Sequence, residues 1–201
     1  MSAPAPRWNR RPETRRDELL DAATSLLQKM PLAQIKVSDI TDAAGTAKGT
    51  FYTYFKSKEA LYRALNERYL DGLTAVRDNA KAAAANKDWL TQLDDTIAAM
   101  IDYMYVNDDL IEVWEREGYN TEYYDIFEIG TNRIISEIAV DLGRNAAEGH
   151  ITCDDPLATA NLIVHAIDGA VSHDMTGRNR NALGPQRMTA AAQAMVRAML
   201  A

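Results

Sequence analysis

Residues 37–61 read VSDITDAAGTAKGTFYTYFKSKEAL, which is two short helical patterns separated by a glycine and followed by the start of a third helix. Gly45 stands in the turn, where a residue without a side chain adopts a positive φ at little cost. Phe51 and Phe55 are four residues apart, so they share one face of the second helix and should be buried. Small, basic and hydroxyl-bearing residues occupy the rest of that helix and the turn: Thr46, Lys48, Gly49, Thr50, Tyr52 and Tyr54. The order predicts a helix-turn-helix, whose second helix can lie in the major groove of duplex DNA.

The residues on either side extend this headpiece. Residues 1–13 are rich in Pro and Arg without helical spacing, which predicts a flexible basic arm. From near Thr14, apolar residues recur at helical spacing until Pro31 ends the helix. Ser38 is the candidate N-cap of the first short helix, and Ser57 precedes a long helix.

The rest of the chain contains only helical patterns. Four of them, at 89–106, 121–147, 156–175 and 186–200, are long, and no alternating strand pattern of useful length occurs. We therefore expect an all-α protein of about nine helices. Three of them would form an N-terminal helix-turn-helix headpiece, and the others a C-terminal helical domain.

Charge is distributed unevenly along the chain. The formal net charge is -7, yet residues 1–60 hold ten Lys and Arg against seven Asp and Glu. A basic N-terminal part on an acidic chain steers DNA towards one end of the molecule.

Several function classes have little support. No apolar run approaches the ~20 residues that span a membrane, and the N-terminus lacks the pattern of a secretory signal, so we expect a cytoplasmic protein. Cys153 is the only cysteine, and His150, His165 and His173 complete no familiar ligand set. We predict no catalytic residue, no metal and no cofactor; an enzyme remains the less favoured alternative.

The segment AGTAKGTFYTYFKSKEAL (residues 44–61) resembles the DNA-binding signature of the tetracycline-repressor (TetR) family, with a dense match over 19–65. The resemblance implies that Lys48 and Thr50 reach base edges or phosphates and that Tyr52 and Tyr54 bind phosphates. Lys58 would bind a phosphate beside a helix N-terminus. Thr46 is a weaker candidate contact, and Gly49 would allow close approach of the backbone to DNA. Thr53 departs from the aromatic residue or histidine often found there in the family.

The C-terminal domain has two expected roles. Its last two helices carry small and apolar residues that suit a homodimer interface: Leu162, Ala166, Ile167, Ala170, Ala194, Met195 and Met199. Its middle helices are rich in aromatic residues and Met, which suit an adaptable apolar pocket: Trp89, Met100, Tyr103, Met104, Trp114, Tyr123, Tyr124 and Phe127. Intrachain packing is the alternative for either set.

These features together predict a transcriptional regulator whose partners are double-stranded DNA, a second copy of the chain and a small-molecule effector. We expect domains at 1–13 (arm), 14–60 (DNA binding) and 61–201 (ligand binding and dimerisation). An apolar or aromatic molecule would release this repressor from a pseudo-palindromic operator. The alternative is a constitutive dimeric regulator without an effector.

Overall fold

In the computed structural model, the described part of the chain is helical throughout and contains no strand. The structure describes residues 12–107, 110–111, 113–114, 124–175 and 182–201. Eight α-helices lie within these ranges: α1 (Pro12–Leu27), α2 (Val37–Ala43), α3 (Lys48–Tyr54), α4 (Lys58–Ala83), α5 (Trp89–Val106), α6 (Tyr124–Ala147), α7 (Pro156–Met175) and α8 (Gly184–Met199). The all-α prediction is confirmed, and the count agrees with about nine.

The chain divides into two compact units, Met1–Asn66 and Glu67–Ala201. The first, which we call the headpiece, contains α1, α2, α3 and the first turns of α4. Its core consists of fully buried apolar side chains from all four helices, among them Leu19, Leu27, Ile40, Phe51 and Leu61. Phe51 and Phe55 are 0% and 4% exposed and their rings are 5.7 Å apart, which confirms their predicted burial.

The turn between α2 and α3 follows from Gly45. Its φ of 61° lies in the left-handed region. Glycine adopts this region easily, whereas a residue with a side chain does so only at a cost in energy. The Gly45 N–H donates to the Asp42 carbonyl at 3.1 Å, and the Thr46 N–H donates to the Thr41 carbonyl at 2.8 Å. These two bonds are the Schellman motif, which satisfies the last carbonyls of a helix and stops it. The predicted turn glycine is therefore confirmed.

Two local predictions in the headpiece need correction. Ser38 is not the N-cap of α2, because the helix begins at Val37 and its N-cap is Lys36. The Asp39 carboxylate closes this end instead, since it accepts the Lys36 N–H at 2.8 Å. A short 3₁₀ helix, Leu32–Gln34, also follows Pro31 where the sequence suggested only a helix end.

The second unit, which we call the body, contains the remainder of α4 and helices α5 to α8. Within it α6 packs on α7, and α8 packs on α5 and α7. The predicted helix starts at Trp89 and Pro156 are confirmed. The Asp88 carboxylate accepts the Thr91 N–H at 3.0 Å, and the Asp155 carboxylate accepts the Ala158 N–H at 3.0 Å. None of the described helices has the length and apolar character that crossing a bilayer requires.

Charged pairs join α4 to α6 along the body. Arg133 lies 2.9 Å from the Asp71 carboxylate, Arg77 lies 2.8 Å from Glu137, and Lys81 pairs with Asp141. The partners advance together along both helices, so α4 and α6 run parallel at this seam. Arg77 is 9% exposed and also contacts its neighbour Asp78, so its buried charge is compensated.

Candidate nucleic-acid interface and effector site

The surface of α3 separates into a buried face and an exposed face. Phe51 lies on the buried face, which packs into the headpiece core. The opposite face, which we call the α3 face, consists of four exposed residues at positions i, i+1, i+4 and i+5 of the helix: Lys48, Gly49, Tyr52 and Thr53. Because these positions lie side by side along a helix, they form one continuous surface that a groove of DNA can accept.

Individual positions on this face differ in what they can contribute. Tyr52 is 52% exposed and its ring meets Phe51 edge-on at 5.4 Å, so the hydroxyl projects from a supported ring. Gly49 would place an added Cβ in open space, so the structure leaves room for a partner to approach the backbone. Thr53 is exposed and its hydroxyl donates to the Gly49 carbonyl at 3.2 Å. Thr53 was given no contact from sequence, yet it shares the α3 face.

The remaining predicted contact residues border the α3 face. Thr50 and Tyr54 lie four residues apart on one flank and are half-buried. Thr46 is also half-buried and sits in the turn before α3. A hydroxyl at each of these positions suits phosphate contacts beside a groove more than base readout within it.

Lys58 occupies a position that the sequence did not indicate. Its ammonium nitrogen donates to the Leu32 carbonyl at 2.8 Å and to the Ile35 carbonyl at 2.7 Å, with the Ala33 carbonyl at 3.5 Å. An ammonium group has three protons, so these carbonyls engage most of its capacity. Lys58 thus joins the 3₁₀ helix to the start of α4. Its predicted phosphate contact stays a prediction and has to compete with these bonds.

The start of α4 is capped by Ser57. The Ser57 hydroxyl accepts the Ala60 N–H at 3.2 Å, which is the N-cap arrangement. A hydrogen bond from Ser57, followed by backbone donors, holds the pKa of Glu59 below its usual value. An acid in this first turn is favoured by the helix dipole.

The basic residues at the start of α1 are engaged within the headpiece. Arg15 pairs with Glu18 at 2.7 Å, and the Arg16 guanidinium lies 5.6 Å above the Phe55 ring. Of the predicted flexible arm (1–13), residues 1–11 lie outside the described residues, whereas Pro12 and Glu13 already belong to α1.

Part of the predicted effector site forms an aromatic cluster in the body. Trp114 meets Tyr69 edge-on with ring centroids 4.5 Å apart, and the Tyr103 ring centroid lies 5.3 Å from that of Tyr69. The Tyr103 hydroxyl donates to the Tyr69 carbonyl at 3.2 Å. We call these three residues the aromatic cluster. Tyr69 is not among the residues predicted for the effector site, and no feature of the sequence distinguishes it from its neighbours.

The other predicted effector-site residues are placed less completely. Met104 is 5% exposed, whereas Trp89 and Met100 are half-buried. Tyr123 lies outside the described residues, as do the side chains of Tyr124 and Phe127.

Tyr103 reaches the backbone of α4 because Gly72 makes room for it. A Cβ added at Gly72 would collide with the hydroxyl and ring carbon of Tyr103. The glycine therefore brings α5 and α4 into close approach at the aromatic cluster. The sequence does not predict this contact, because Gly72 lies inside a regular helix without any local signal.

The predicted dimer residues lie on surfaces of α7 and α8 that the chain leaves open. Leu162 is 62% exposed, and Ala166, Ala170 and Ala194 are exposed as well. Ile167, Met195 and Met199 are half-buried. Leu157, near the start of α7, is also 58% exposed but lies on a different side of the helix. The sides that face away from Leu162 and Ala194 are buried through Val171 and Val196.

The described residues contain no group of three or more His, Cys, Asp or Glu placed to hold a metal ion. Cys153 is half-buried and unpaired with another cysteine, as the single cysteine requires.

A short helix that presents an exposed polar face after a Schellman turn, on an otherwise all-helical chain, defines a helix-turn-helix protein. Two family models match: bacterial regulatory proteins of the TetR family over residues 19–65, and the C-terminal domain of AefR-like transcriptional repressors over residues 123–201. The chain belongs to the TetR family of bacterial regulatory proteins. Regulators of this family bind DNA, act as dimers and are not enzymes.

Relatives and solved structures agree with this membership. The chain is 33% identical over 99 residues to the HTH-type transcriptional regulator EthR of Mycobacterium tuberculosis, 46% of either chain. It is 39% identical over 69 residues to the HTH-type transcriptional repressor KstR2 of Mycolicibacterium smegmatis, 34% of either chain. Each match thus spans less than half of the relative. The fold resembles SmeT, the repressor of the Stenotrophomonas maltophilia efflux pump SmeDEF, with TM-score 0.71 and 21% identity over 92% of this chain and 89% of SmeT.

Proposed function

We propose that this protein is a homodimeric transcriptional repressor that binds a pseudo-palindromic operator through the α3 face and releases it when an apolar or aromatic molecule binds the body. The observation that carries the proposal is the α3 face itself. Lys48, Tyr52 and Thr53 are exposed on a helix whose opposite side is fixed by Phe51, so a rigid polar surface is available to duplex DNA.

Residues on the α3 face and on its flank would make different kinds of contact with DNA. Lys48 is an exposed cation at the first residue of α3, where side chains of a recognition helix reach base edges. Thr50 and Tyr54, on the flank, would contact phosphates and fix the register of the helix on the duplex. Replacing Lys48 should therefore change sequence preference as well as affinity.

Dimerisation would use the open surfaces of α7 and α8. Exposed small residues at Ala166, Ala170 and Ala194 allow helices to approach closely, and Leu162 supplies apolar area. A two-fold pair of headpieces reads two half-sites, which explains why operators of such proteins are palindromic.

Release of DNA would pass through α4. This helix begins at Lys58 in the headpiece unit and continues to Ala83 in the body, where Tyr103 bonds to its backbone. A molecule that binds at the aromatic cluster with different affinity in two positions of α4 shifts the equilibrium between them. The proposed consequence is that the two copies of α3 no longer match the spacing of the half-sites.

Selection of bound duplexes from a random pool tests the DNA-binding half of this proposal. We expect enrichment of a pseudo-palindrome whose half-sites are separated by about one helical turn or a multiple of it. Selection with Ala170→Glu, which places charge in the proposed dimer surface, should lose the symmetric sequence. A wild-type pool without enrichment, or with a solitary half-site, contradicts the proposal.

A competition experiment with the selected duplex tests the effector half. Apolar aromatic compounds are added to the complex, and release is followed by fluorescence anisotropy. Release that occurs with wild-type protein but not with Tyr103→Ala supports the route through the aromatic cluster. A complex that no compound dissociates supports the constitutive regulator instead.

A further inference from the structure

Trp114 leaves one buried polar atom without a partner. The residue is 5% exposed, and its indole Nε1 makes no hydrogen bond to the residues that the structure describes. An indole N–H is a donor only, so nothing but an acceptor can pair with it. Because buried polar groups in native proteins are nearly always paired, an orphaned donor at a candidate ligand site points to a group that a ligand supplies.

The neighbours of Trp114 are aromatic and already engaged with one another. The Tyr69 ring packs against the indole with centroids 4.5 Å apart, and the Tyr103 hydroxyl already donates its hydrogen bond to the Tyr69 carbonyl. The cluster thus offers flat apolar surface together with one donor, the Trp114 indole N–H, that has no partner within the described ranges. Such a combination binds the apolar part of a ligand and orients that ligand through one polar contact.

The charges around the cluster oppose an anionic ligand. Burial, and next the nearby Asp168 carboxylate, raise the pKa of Tyr69, so a negative field acts on this ring. The buried cation on the same helix, Arg77, is compensated by Asp78 and Glu137. Burial raises the pKa of Tyr103 and the Arg68 charge opposes this rise, and Arg68 is engaged in a further interaction of its own. A carboxylate buried here would lose its hydration within the field of the Asp168 carboxylate.

We infer that the effector is a neutral, largely apolar molecule with a hydrogen-bond acceptor, such as a ketone, ester, amide or ether oxygen, that accepts the Trp114 indole N–H. The apolar part of this molecule packs on the aromatic cluster. This inference rests on the proposed effector response and defines the chemical class of that effector.

NMR of the full chain labelled with ¹⁵N tests the inference without any DNA. The protein has three tryptophans, so three indole N–H signals are assigned by Trp→Phe substitution at each position. Three probes of similar shape are titrated: 4-phenylcyclohexanone, which carries an acceptor; phenylcyclohexane, which carries none; and 4-phenylcyclohexanecarboxylate, which is charged.

The ketone should move the Trp114 indole signal downfield and bind about tenfold more tightly than the hydrocarbon, as one recovered hydrogen bond allows. The Trp114→Phe variant should bind both neutral probes equally. Thr74→Val is the matched control, because the Thr74 hydroxyl is the other buried side-chain atom without a partner in the described part of the chain. This isosteric change should leave the preference for the ketone intact.

Several results would overturn the inference. If the ketone and the hydrocarbon bind equally and the Trp114 signal does not shift, the effector needs no acceptor. If the carboxylate binds most tightly, the effector is not neutral. An indole signal already downfield and protected from exchange in the free protein shows that the donor is paired. Binding of no probe also overturns it. In each case the selection of bound duplexes tests separately whether the protein is a DNA-binding regulator.

Discussion

Helix ends are capped locally in both the headpiece and the body, but the two units differ in their buried polar atoms and in the charged pairs between helices. In the headpiece the ends of helices are closed by groups a few residues away, as at Gly45, Asp39 and Ser57. In the body, charged pairs such as Arg77–Glu137 join residues 60 apart in sequence, and two buried polar atoms have no partner among the described residues. The difference sets a headpiece with a firmly closed polar surface apart from a body that keeps unsatisfied polar groups, which is what our proposed effector site requires.

The strongest test of the headpiece removes its central side chain. Phe51 is 0% exposed, so Phe51→Ala leaves a cavity and should lower the free energy of unfolding by about 3–5 kcal/mol. Amide hydrogen exchange should show the loss in residues of α1 to α3, with the protection of α6 to α8 retained. Thr53→Ala, at an exposed position of the same helix, is the control and should change stability by less than about 0.5 kcal/mol. Equal loss of protection in both units would contradict their independence.

Removal of the Lys58 ammonium should weaken the headpiece next most strongly. Lys58→Met keeps the apolar stem but takes away charged hydrogen bonds to the Leu32 and Ile35 carbonyls, a loss of about 2 kcal/mol. Exchange of amides around the 3₁₀ helix measures it. Lys56→Met, at a nearby exposed lysine, should have little effect on stability.

The same lysine variants separate two roles for Lys58. If Lys58 acts only within the headpiece, the salt dependence of DNA binding stays as in wild type once the protein is folded. A slope reduced by about one indicates a phosphate contact as well. A variant with unchanged stability shows that the carbonyl bonds contribute nothing and contradicts our account of this residue.

A smaller effect is expected at the approach of α4 and α5. Gly72→Ala should lower the free energy of unfolding by about 1 kcal/mol, because displacement of Tyr103 outweighs the better helix propensity of alanine. In a Tyr103→Leu background, which removes the ring and hydroxyl, the same change should raise stability by a similar amount. Denaturant unfolding of the four proteins gives this double-mutant cycle. Additive effects would mean that the two residues are not coupled.

The smallest expected change is a gain. Thr74→Val replaces a buried hydroxyl that has no partner in the described residues with an isosteric methyl group, so the free energy of unfolding should rise by up to about 1 kcal/mol. Ser136→Ala, at an exposed helical hydroxyl on α6, serves as the comparison and should show no such gain. A loss of stability in Thr74→Val would show that the hydroxyl is paired after all.

The two units also differ in how far the sequence predicts them. The bounds of α3 and the burial of Phe51 follow from local spacing, and Gly45 stops α2 through bonds within six residues. The role of Lys58 was beyond local reasoning, since its acceptors lie 23 to 26 residues earlier in a 3₁₀ helix that has no periodic signal.

In the body, sequence patterns predict helices but not which of their faces meet. The start of α5 at Trp89 follows from the Asp88 cap. The contact of Tyr69 with Trp114, by contrast, depends on how distant helices cross, which helical spacing does not encode. Exposure of Leu162 agrees with the predicted dimer surface, and the surface itself stays a prediction.

Photo-crosslinking from the α3 face tests the central claim most directly. In a Cys153→Ser background, Thr53→Cys carries an azidophenacyl crosslinker, and Val140→Cys, at a residue 68% exposed on α6, carries it as the control. We predict crosslinks from position 53 to the selected operator at two places related by its symmetry, and none from position 140. A bound complex that crosslinks from position 140 and not from position 53 contradicts the account.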